Sequence, residues 1–297
     1  MVAVIDVGSN TIRMLLSGTR TEAPRYYRQI TRLAGGWTEK DGLSEAAMNR
    51  SLTTLKFYKH IISSLNISRI QAVGTAALRR ARNSQVFIDA VYATTGIKIE
   101  IIDGEKEAYL AGKGALSVIE PIPKEAVILD IGGGSTELSY IVSGHICFQK
   151  SYPLGVVRLC EECASREERF QKINATFSCF SESIHGAGFD SQKTQLIGTA
   201  GTITTLAAIH LGLREYDADK INNHEISACW INKLQSKLDL MTVAEREEMI
   251  GMEEGRGDLI LPGLEILLYL LNQLQLPIFR VSDSGLLEGV MLDLTDS

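Results

Sequence analysis

The sequence predicts an α/β protein made of two similar mixed sheets flanked by helices, and three observations point there. The first is the stretch Ala126 to Val142, AVILDIGGGSTELSYIV, an apolar run ending in Asp130, then three glycines, Ser135, Thr136 and Glu137, then a second apolar run. Val127, Ile128 and Leu129 have the character of an interior strand, so the stretch reads as strand, tight turn, strand. The second is a repeat: a shift of 124 residues carries Asp6 onto Asp130 and Gly8 onto Gly132, and the same shift carries Gly74-Thr75-Ala76 onto Gly198-Thr199-Ala200. Two separated motifs in one register indicate a duplicated domain, with halves that begin near Met1 and near Ala126. The third is that each half opens on a hairpin and continues into β-α-β crossovers.

In the first half, Val2 to Val7 reads as a strand, Asp6 to Thr11 as a turn and Ile12 to Ser17 as a returning strand. A third strand follows near Tyr26 to Leu33, then a helix from Ser44 to about Leu65 and a strand at Ile70 to Val73. Asn83 is placed to cap a helix reaching Thr95, with Gly96 as its stop. Ile97 to Ile102 reads as a strand, and Glu105 to about Val118 as a helix leading into the second half. There, strands lie within Ala126 to Tyr152, a polar helix spans about Arg166 to Ile184, a strand covers Thr194 to Ile197 and a helix opens after Gly201. A helical region follows at Glu225 to Ser236, Val243 to Ile250 and Asp258 to Leu274. A strand at Ile278 to Ser282 and a helix from Ser284 close the chain.

A chain of 297 residues, 45% hydrophobic and 22% charged, has room for two domains of about 150 residues each, and two domains imply a cleft. The most apolar segment, Leu259 to Leu271, is interrupted by Pro262 and Glu265 and falls short of the about 20 apolar residues that cross a bilayer. It reads as part of a core helix, and no membrane partner is expected. No basic region opens the sequence and Asp6 comes too early for a signal peptide, so the expected location is cytoplasmic. Five cysteines, an odd number, favour reduced thiols over a disulfide framework. Cys160 and Cys163 form a C-x-x-C without a second pair at zinc-finger spacing. A net charge of −6 argues against general nucleic-acid binding and leaves room for a locally basic cleft.

Four places carry candidate chemistry. Gly132 to Gly134 allow the backbone to approach a ligand closely, and amides converging in such a turn form an anion nest. Asp130 and Glu137 add carboxylates of the kind that hold Mg²⁺ beside a phosphate, although a plain hairpin accounts for the same residues. Gly198 to Thr205 places glycines and hydroxyls at a strand-to-helix junction, where free N–H groups suit a phosphate; helix capping by Thr202 is the alternative. The turn Gly74 to Leu78 is followed by Arg79, Arg80 and Arg82, which suit an anionic substrate or a solvated surface turn. Glu105 and Glu107 open the helix between the halves and project about 200° apart, so at most one faces a cleft; favouring the helix dipole is the other reading. Ala108, Ala111, Gly112, Gly114 and Ala115 would let that helix approach other backbone closely. Arg13, Arg158 and Arg256 are further cationic candidates, and His224 reads as a capping or packing residue.

Eight motifs then match a known family in order. Asp6-Val-Gly-Ser-Asn-Thr-Ile-Arg13, Gly74-Thr-Ala-Ala-Leu-Arg79, Gly104-Glu-Lys-Glu-Ala108, Asp130-Ile-Gly-Gly-Gly-Ser-Thr-Glu137, Pro153-Leu-Gly-Val-Val-Arg158, Gly198-Thr-Ala-Gly-Thr202, Arg256-Gly-Asp258 and Gly285-Leu-Leu-Glu-Gly289 resemble those of the exopolyphosphatase and guanosine pentaphosphate phosphohydrolase (Ppx/GppA) family. The resemblance runs from end to end. It implies the actin-like ATPase (ribonuclease H-like) fold: two duplicated domains around a phosphate-binding cleft, residues 1–118 and 119–283, with the last helix, 284–297, completing the first. By the same resemblance Glu107 is the catalytic residue. Asp130 and Glu137, with Asp6 as a third candidate, hold Mg²⁺ or Mn²⁺. Gly8, Ser9, Asn10, Thr11, Gly132, Gly133, Gly134, Ser135 and Thr136 cradle phosphate, joined by Gly198, Thr199, Gly201, Arg13, Arg79 and Arg256.

The activity implied is hydrolysis of the terminal phosphoanhydride of polyphosphate, with guanosine pentaphosphate as the alternative substrate. A kinase or actin-like ATPase and a non-catalytic sensor of polyphosphate or an alarmone are readings of another class. A homodimer is compatible with the resemblance. Two departures bear on substrate preference: Arg80 stands where the family often has an acidic residue, and Leu287 where it usually has arginine. The C-terminal helical region of longer members does not follow Ser297, which leads to the expectation of a shorter polyphosphate path and good activity on short chains.

Overall fold

In the computed structural model of the chain, the described residues are 1–18, 23–38 and 40–296. Strand β1 (Val2–Val7) is buried along nearly its whole length and pairs antiparallel with β2 (Thr11–Leu16), which pairs antiparallel with the edge strand β3 (Arg25–Ile30). After α1 (Glu45–Ser64), capped by the Ser44 hydroxyl accepting from the Ala47 amide at 3.3 Å, β4 (Arg69–Gly74) lies parallel to β1. Helices α2 (Ala76–Arg80) and α3 (Ser84–Thr95) lead to β5 (Ile99–Ile101), parallel to β4, so the sheet runs β3-β2-β1-β4-β5. Helix α4 (Gly104–Leu116) crosses to the second half.

There, β6 (Glu125–Ile131), β7 (Thr136–Val142) and β8 (His145–Tyr152) form an antiparallel meander, followed by α5 (Val156–Glu162), α6 (Arg166–Phe177) and α7 (Phe180–Gly186). Next come β9 (Gln195–Thr199), α8 (Ala200–Leu211), α9 (Ala218–Ile221), β10 (Glu225–Ser227), α10 (Ala228–Leu238), α11 (Val243–Glu247) and α12 (Ile260–Leu274). The chain ends with β11 (Ile278–Val281) and α13 (Leu286–Asp296). The second sheet runs β10-β11-β9-β6-β7-β8, the order and directions of the first with one antiparallel edge strand added. The duplication read from the sequence is therefore present in three dimensions. Asp6 faces Arg13 across the first hairpin as Asp130 faces Glu137 across the second, and both pairs are 124 residues apart.

Helices α4 and α13 join the halves. Ala115 of α4 packs with Ile128, Ile141 and Ile197 of the second sheet, whereas Leu286, Leu287 and Val290 of α13 join Val4, Leu15 and Val73 of the first. Leu287 is only 2% exposed, so this departure from the family pattern is a core residue. The small residues on α4 do what their size suggests: a Cβ at Gly114 would overlap the Gly285 carbonyl, and one at Gly289 would overlap that of Leu110.

Three elements differ from the sequence reading. The polar helix Arg166 to Ile184 breaks after Phe177, because the turn lets Phe177 and Phe180 both pack on Tyr152, with ring centroids at 4.6 and 6.3 Å. Glu225–Ser227 is an edge strand on β11, and Ser227 starts α10 by accepting from the Trp230 amide at 3.2 Å. Asn83 precedes α3 without capping it; its side chain instead bonds the Leu43 amide and carbonyl at 2.8 and 2.9 Å. Gly96 does stop α3, in the left-handed conformation at φ 69°. Gly289→Ala should lower stability by about 1–3 kcal/mol through forced separation of α4 and α13. Thermal melts check this, and an unchanged Tm would contradict the close packing.

Candidate active site

The site forms where the C-terminal ends of the central strands meet, the usual position in sheets of this kind. The two hairpin turns are built alike: the Gly8 amide donates to the Thr11 carbonyl at 3.1 Å, and the Gly132 amide to that of Ser135 at 3.0 Å. They abut, with Gly133 against Asn10 and Gly134 against Ser9, where a Cβ would crowd. Neighbouring segments hold the turn carbonyls. Asn10 accepts from the amides of Thr31 (3.0 Å) and Arg32 (2.8 Å), Ser9 from Ala34 (2.9 Å), Gly132 from Val156 (3.0 Å) and Gly133 from Val157 (2.9 Å). With the carbonyls held, the amides of Ser9, Asn10, Gly133 and Gly134 have no backbone acceptor among the described residues. The buried Asn10 carboxamide also lacks a partner among them. Such amides suit an anion.

Not every predicted hydroxyl is open. Thr136 donates to the Leu154 carbonyl and Thr199 to that of Ser284, each at 2.7 Å, so neither hydroxyl proton is available to a ligand. Ser135 hydrogen-bonds toward Glu137. Helix α8 begins at Thr199 with no side-chain cap; Thr202 does not cap it.

Four carboxylates converge here, all buried: Asp6 at 4% exposure, Glu107 at 7%, Asp130 at 8% and Glu137 at 3%. Arg13 holds Asp6 Oδ2 through Nε at 3.0 Å and Nη2 at 2.7 Å. Arg79 Nη1 donates to Glu107 Oε2 at 2.8 Å and to the Ile102 carbonyl at 2.9 Å. Asp103 caps α4 by accepting from the Lys106 amide at 2.7 Å, which turns Glu107 inward and leaves Glu105 exposed. From the arginine cluster, Arg79 joins this group. Arg80 lies over the Trp37 ring at 4.9 Å, and Arg82 bonds the Lys40 carbonyl.

Crowding and burial shape the protonation. Burial lifts Glu107 to about 7 against the pull of Arg79, with Asp130 and Asp6 adding to the rise. Burial likewise lifts Asp130 to about 6, opposed by Arg13 and reinforced by Asp6. Glu137 goes well above the carboxylate range through burial beside Glu107 and Asp130, although Ser151 donates to it at 2.6 Å. Burial alone would lower Arg13, but Asp6, Glu288 and Asp130 leave it raised. Arg256, buried against Gly201, falls to about 10 through burial and the nearness of Arg13.

The donors fit a hard divalent cation. Asp6 Oδ1 is buried without a partner among the described residues, and burial outweighs the positive charge near Asp130 and Glu137. No three His, Cys, Asp or Glu side chains form a metal cage among the described residues. Mg²⁺ needs none, being held commonly by one or two carboxylates together with substrate phosphates. Sequence reasoning missed Ser151, Glu288, Arg28 and Glu253, each of which touches a site residue or its electrostatics. Arg28 left a signal in the hairpin register that places it opposite Arg13, and Glu288 stood inside the motif Gly285-Leu-Leu-Glu-Gly289 without a role assigned to it.

A duplicated fold with paired glycine turns over buried carboxylates defines a phosphate-handling enzyme. Residues 26–297 match the Ppx/GppA phosphatase family, and the chain belongs to it. It is 29% identical over 99% of its length to Exopolyphosphatase 2 of Mycobacterium tuberculosis, of which it covers 98%. It is 28% identical over its full length to a guanosine-5'-triphosphate,3'-diphosphate pyrophosphatase of Vibrio campbellii, of which it covers 59%. It spans 46% of another relative that is 30% identical. The crystal structure of an exopolyphosphatase from Cytophaga hutchinsonii matches with a TM-score of 0.89 at 28% identity, covering 99% of this chain and 97% of that one.

Glu107 and Asp130 both titrate above their ordinary values of 4.5 and 3.8, so between those values and about 7 the folded chain binds protons that the unfolded chain has lost. Their contribution to stability therefore falls as pH rises through that window. Metal-free protein should lose Tm from pH 5 to pH 8, with a shallower loss in Glu107→Gln and recovery at pH 8 on adding Mg²⁺. A slope identical in wild type and variant would contradict the assignment to Glu107.

Proposed function

We propose that the chain hydrolyses the terminal phosphoanhydride of inorganic polyphosphate: n units and water give n−1 units and orthophosphate. One observation carries the reading. The buried glutamate Glu107 is lifted to about 7 and clamped by Arg79 beside two glycine turns with open amides. The mycobacterial and Cytophaga relatives support polyphosphate as the substrate.

Phosphoryl transfer depends on positioning and charge neutralisation more than on covalent chemistry by the protein. Above about pH 7 the Glu107 carboxylate accepts a proton from water as that water attacks the terminal phosphorus. The amides of Ser9, Asn10, Gly133 and Gly134, with Arg13, meet the oxygens of the attacked group. Arg256 and the start of α8 at Gly201, just past Gly198 and Thr199 of β9, receive the phosphate of the leaving n−1 chain. Asp130 and Glu137, with Asp6 as the further candidate, would hold Mg²⁺ or Mn²⁺, which would supply further charge neutralisation when bound.

The division into residues 1–118 with 284–297 and residues 119–283, and a cytoplasmic location, belong to the same proposal. Among the described residues no helix is long and apolar enough to cross a membrane. The Vibrio relative favours a second substrate, guanosine pentaphosphate, whose 5' terminal phosphoanhydride is the same bond. Phosphate release measured side by side ranks the two, and a strong preference for the nucleotide reverses their order.

Glu107→Gln should lower kcat on polyphosphate by about 10²–10⁴-fold with Mg²⁺ present while KM changes little. A wild-type rate would exclude the role. Arg79→Met removes the pull that lowers Glu107, so the rising limb of the pH–rate profile should move to higher pH. A limb that stays in place or moves down would show that Glu107 does not set it.

A further inference from the structure

A row of charge extends beyond the carboxylate cluster. Arg13 on β2 stands in register with Asp6 on one side and with Arg28 of β3 on the other, so the three share one face of the first sheet. Across the cleft Arg256, 8% exposed, packs at the first turn of α8, where Gly201 leaves room that any Cβ would fill. A guanidinium beside an uncapped helix N-terminus brings two positive ends together, an arrangement that favours an anion between them. Arg28 and Arg256 each fall to about 10 through burial and through neighbouring guanidiniums.

The anion in place is internal. Glu253 pairs with Arg256 from its own loop and with Arg28 from the opposite half of the molecule. Its loop is braced. Glu247 accepts from the amides of Gly255 (3.0 Å) and Gly257 (2.6 Å), and Arg32 grips Asp258 at 2.9 and 3.1 Å. The other carboxylates felt by Arg13 and Arg28 are engaged elsewhere: Asp283 accepts from Tyr216, and Glu288 from the Gly285 amide at 2.6 Å. Thr205 adds a weaker contact to Glu253 at 3.4 Å.

We propose that Arg28 completes the subsite at which Arg13 and Arg256 receive the phosphate next to the one attacked, and that Glu253 is the built-in competitor of that phosphate. The carboxylate stands where phosphate oxygens bind and leaves when they arrive. Arg13 links the two subsites, since it also holds Asp6 and feels Asp130. The inference rests on the reading that the cleft takes a phosphate chain, and it adds Arg28 and Glu253 as residues that set how tightly that chain is held.

The test is calorimetric titration with tripolyphosphate and, separately, guanosine tetraphosphate, in the Glu107→Gln background with Mg²⁺. Adding Glu253→Gln should tighten binding about tenfold, the scale of one charge-assisted contact, and adding Arg28→Ala should remove that gain. A gain confined to tripolyphosphate assigns the subsite to an inorganic chain, and one confined to the nucleotide assigns it to nucleotide phosphates; either supports the subsite. Unchanged or weaker binding in Glu253→Gln makes that residue a strut between the halves and overturns the proposal. Should Glu253→Gln fail to fold, Arg28→Ala alone decides: about tenfold weaker tripolyphosphate binding supports the subsite, and unchanged affinity overturns it. Binding is read without turnover, so a failure of polyphosphate hydrolysis in the wild type would be seen separately.

Discussion

The structure turns on a crowd of buried carboxylates. Asp6, Glu107, Asp130 and Glu137 come from four different elements and meet beside two arginines that each grip one of them. Like charges at such range raise one another, and burial raises them further. The crowd persists because the surrounding backbone over-determines it. Paired hairpins fix three of the carboxylates by ladder register, and a capped helix fixes the fourth. A group of this kind accepts protons near neutrality and attracts divalent cations, two properties that phosphoanhydride hydrolysis uses.

Duplication explains how the crowd is built and divergence explains why it is asymmetric. The two hairpin turns carry the same internal hydrogen bond and abut through glycines. At equivalent positions, however, one half has Arg13 and the other Glu137. One turn therefore sits over a cation paired with its own aspartate, and the other over two carboxylates. The halves are then locked together by α4 and α13, whose glycines bring helix backbone against helix backbone. Glu107 sits on the first of these helices, so the same packing that joins the sheets aims the residue at the cleft.

Much of this was legible in residues that act locally. The hairpins, the constant offset between Asp6 and Asp130, the stop at Gly96 and the close-packing face of α4 all follow from backbone freedom and spacing. Glu107 was different: spacing allowed only that one of Glu105 and Glu107 turn inward, and the family resemblance chose between them. What the sequence concealed depends on contacts distant along the chain. Arg28 and Glu253 meet from opposite halves. The edge strand Glu225–Ser227 exists because β11 is beside it, and the break after Phe177 exists because Tyr152 is there. The hydroxyls of Thr136 and Thr199 look available in the motif, yet carbonyls outside both motifs take them.

The most direct test of the account is the titration of Glu107 itself. Carbon-detected NMR of metal-free protein labelled at glutamate side-chain carboxyls, compared with Glu107→Gln, isolates its signal. Burial beside Asp130 and Asp6 predicts a Glu107 carboxyl that titrates near pH 7. A midpoint at its ordinary value of 4.5 would mean that burial and its neighbours do not poise it as a base, and would contradict the central claim.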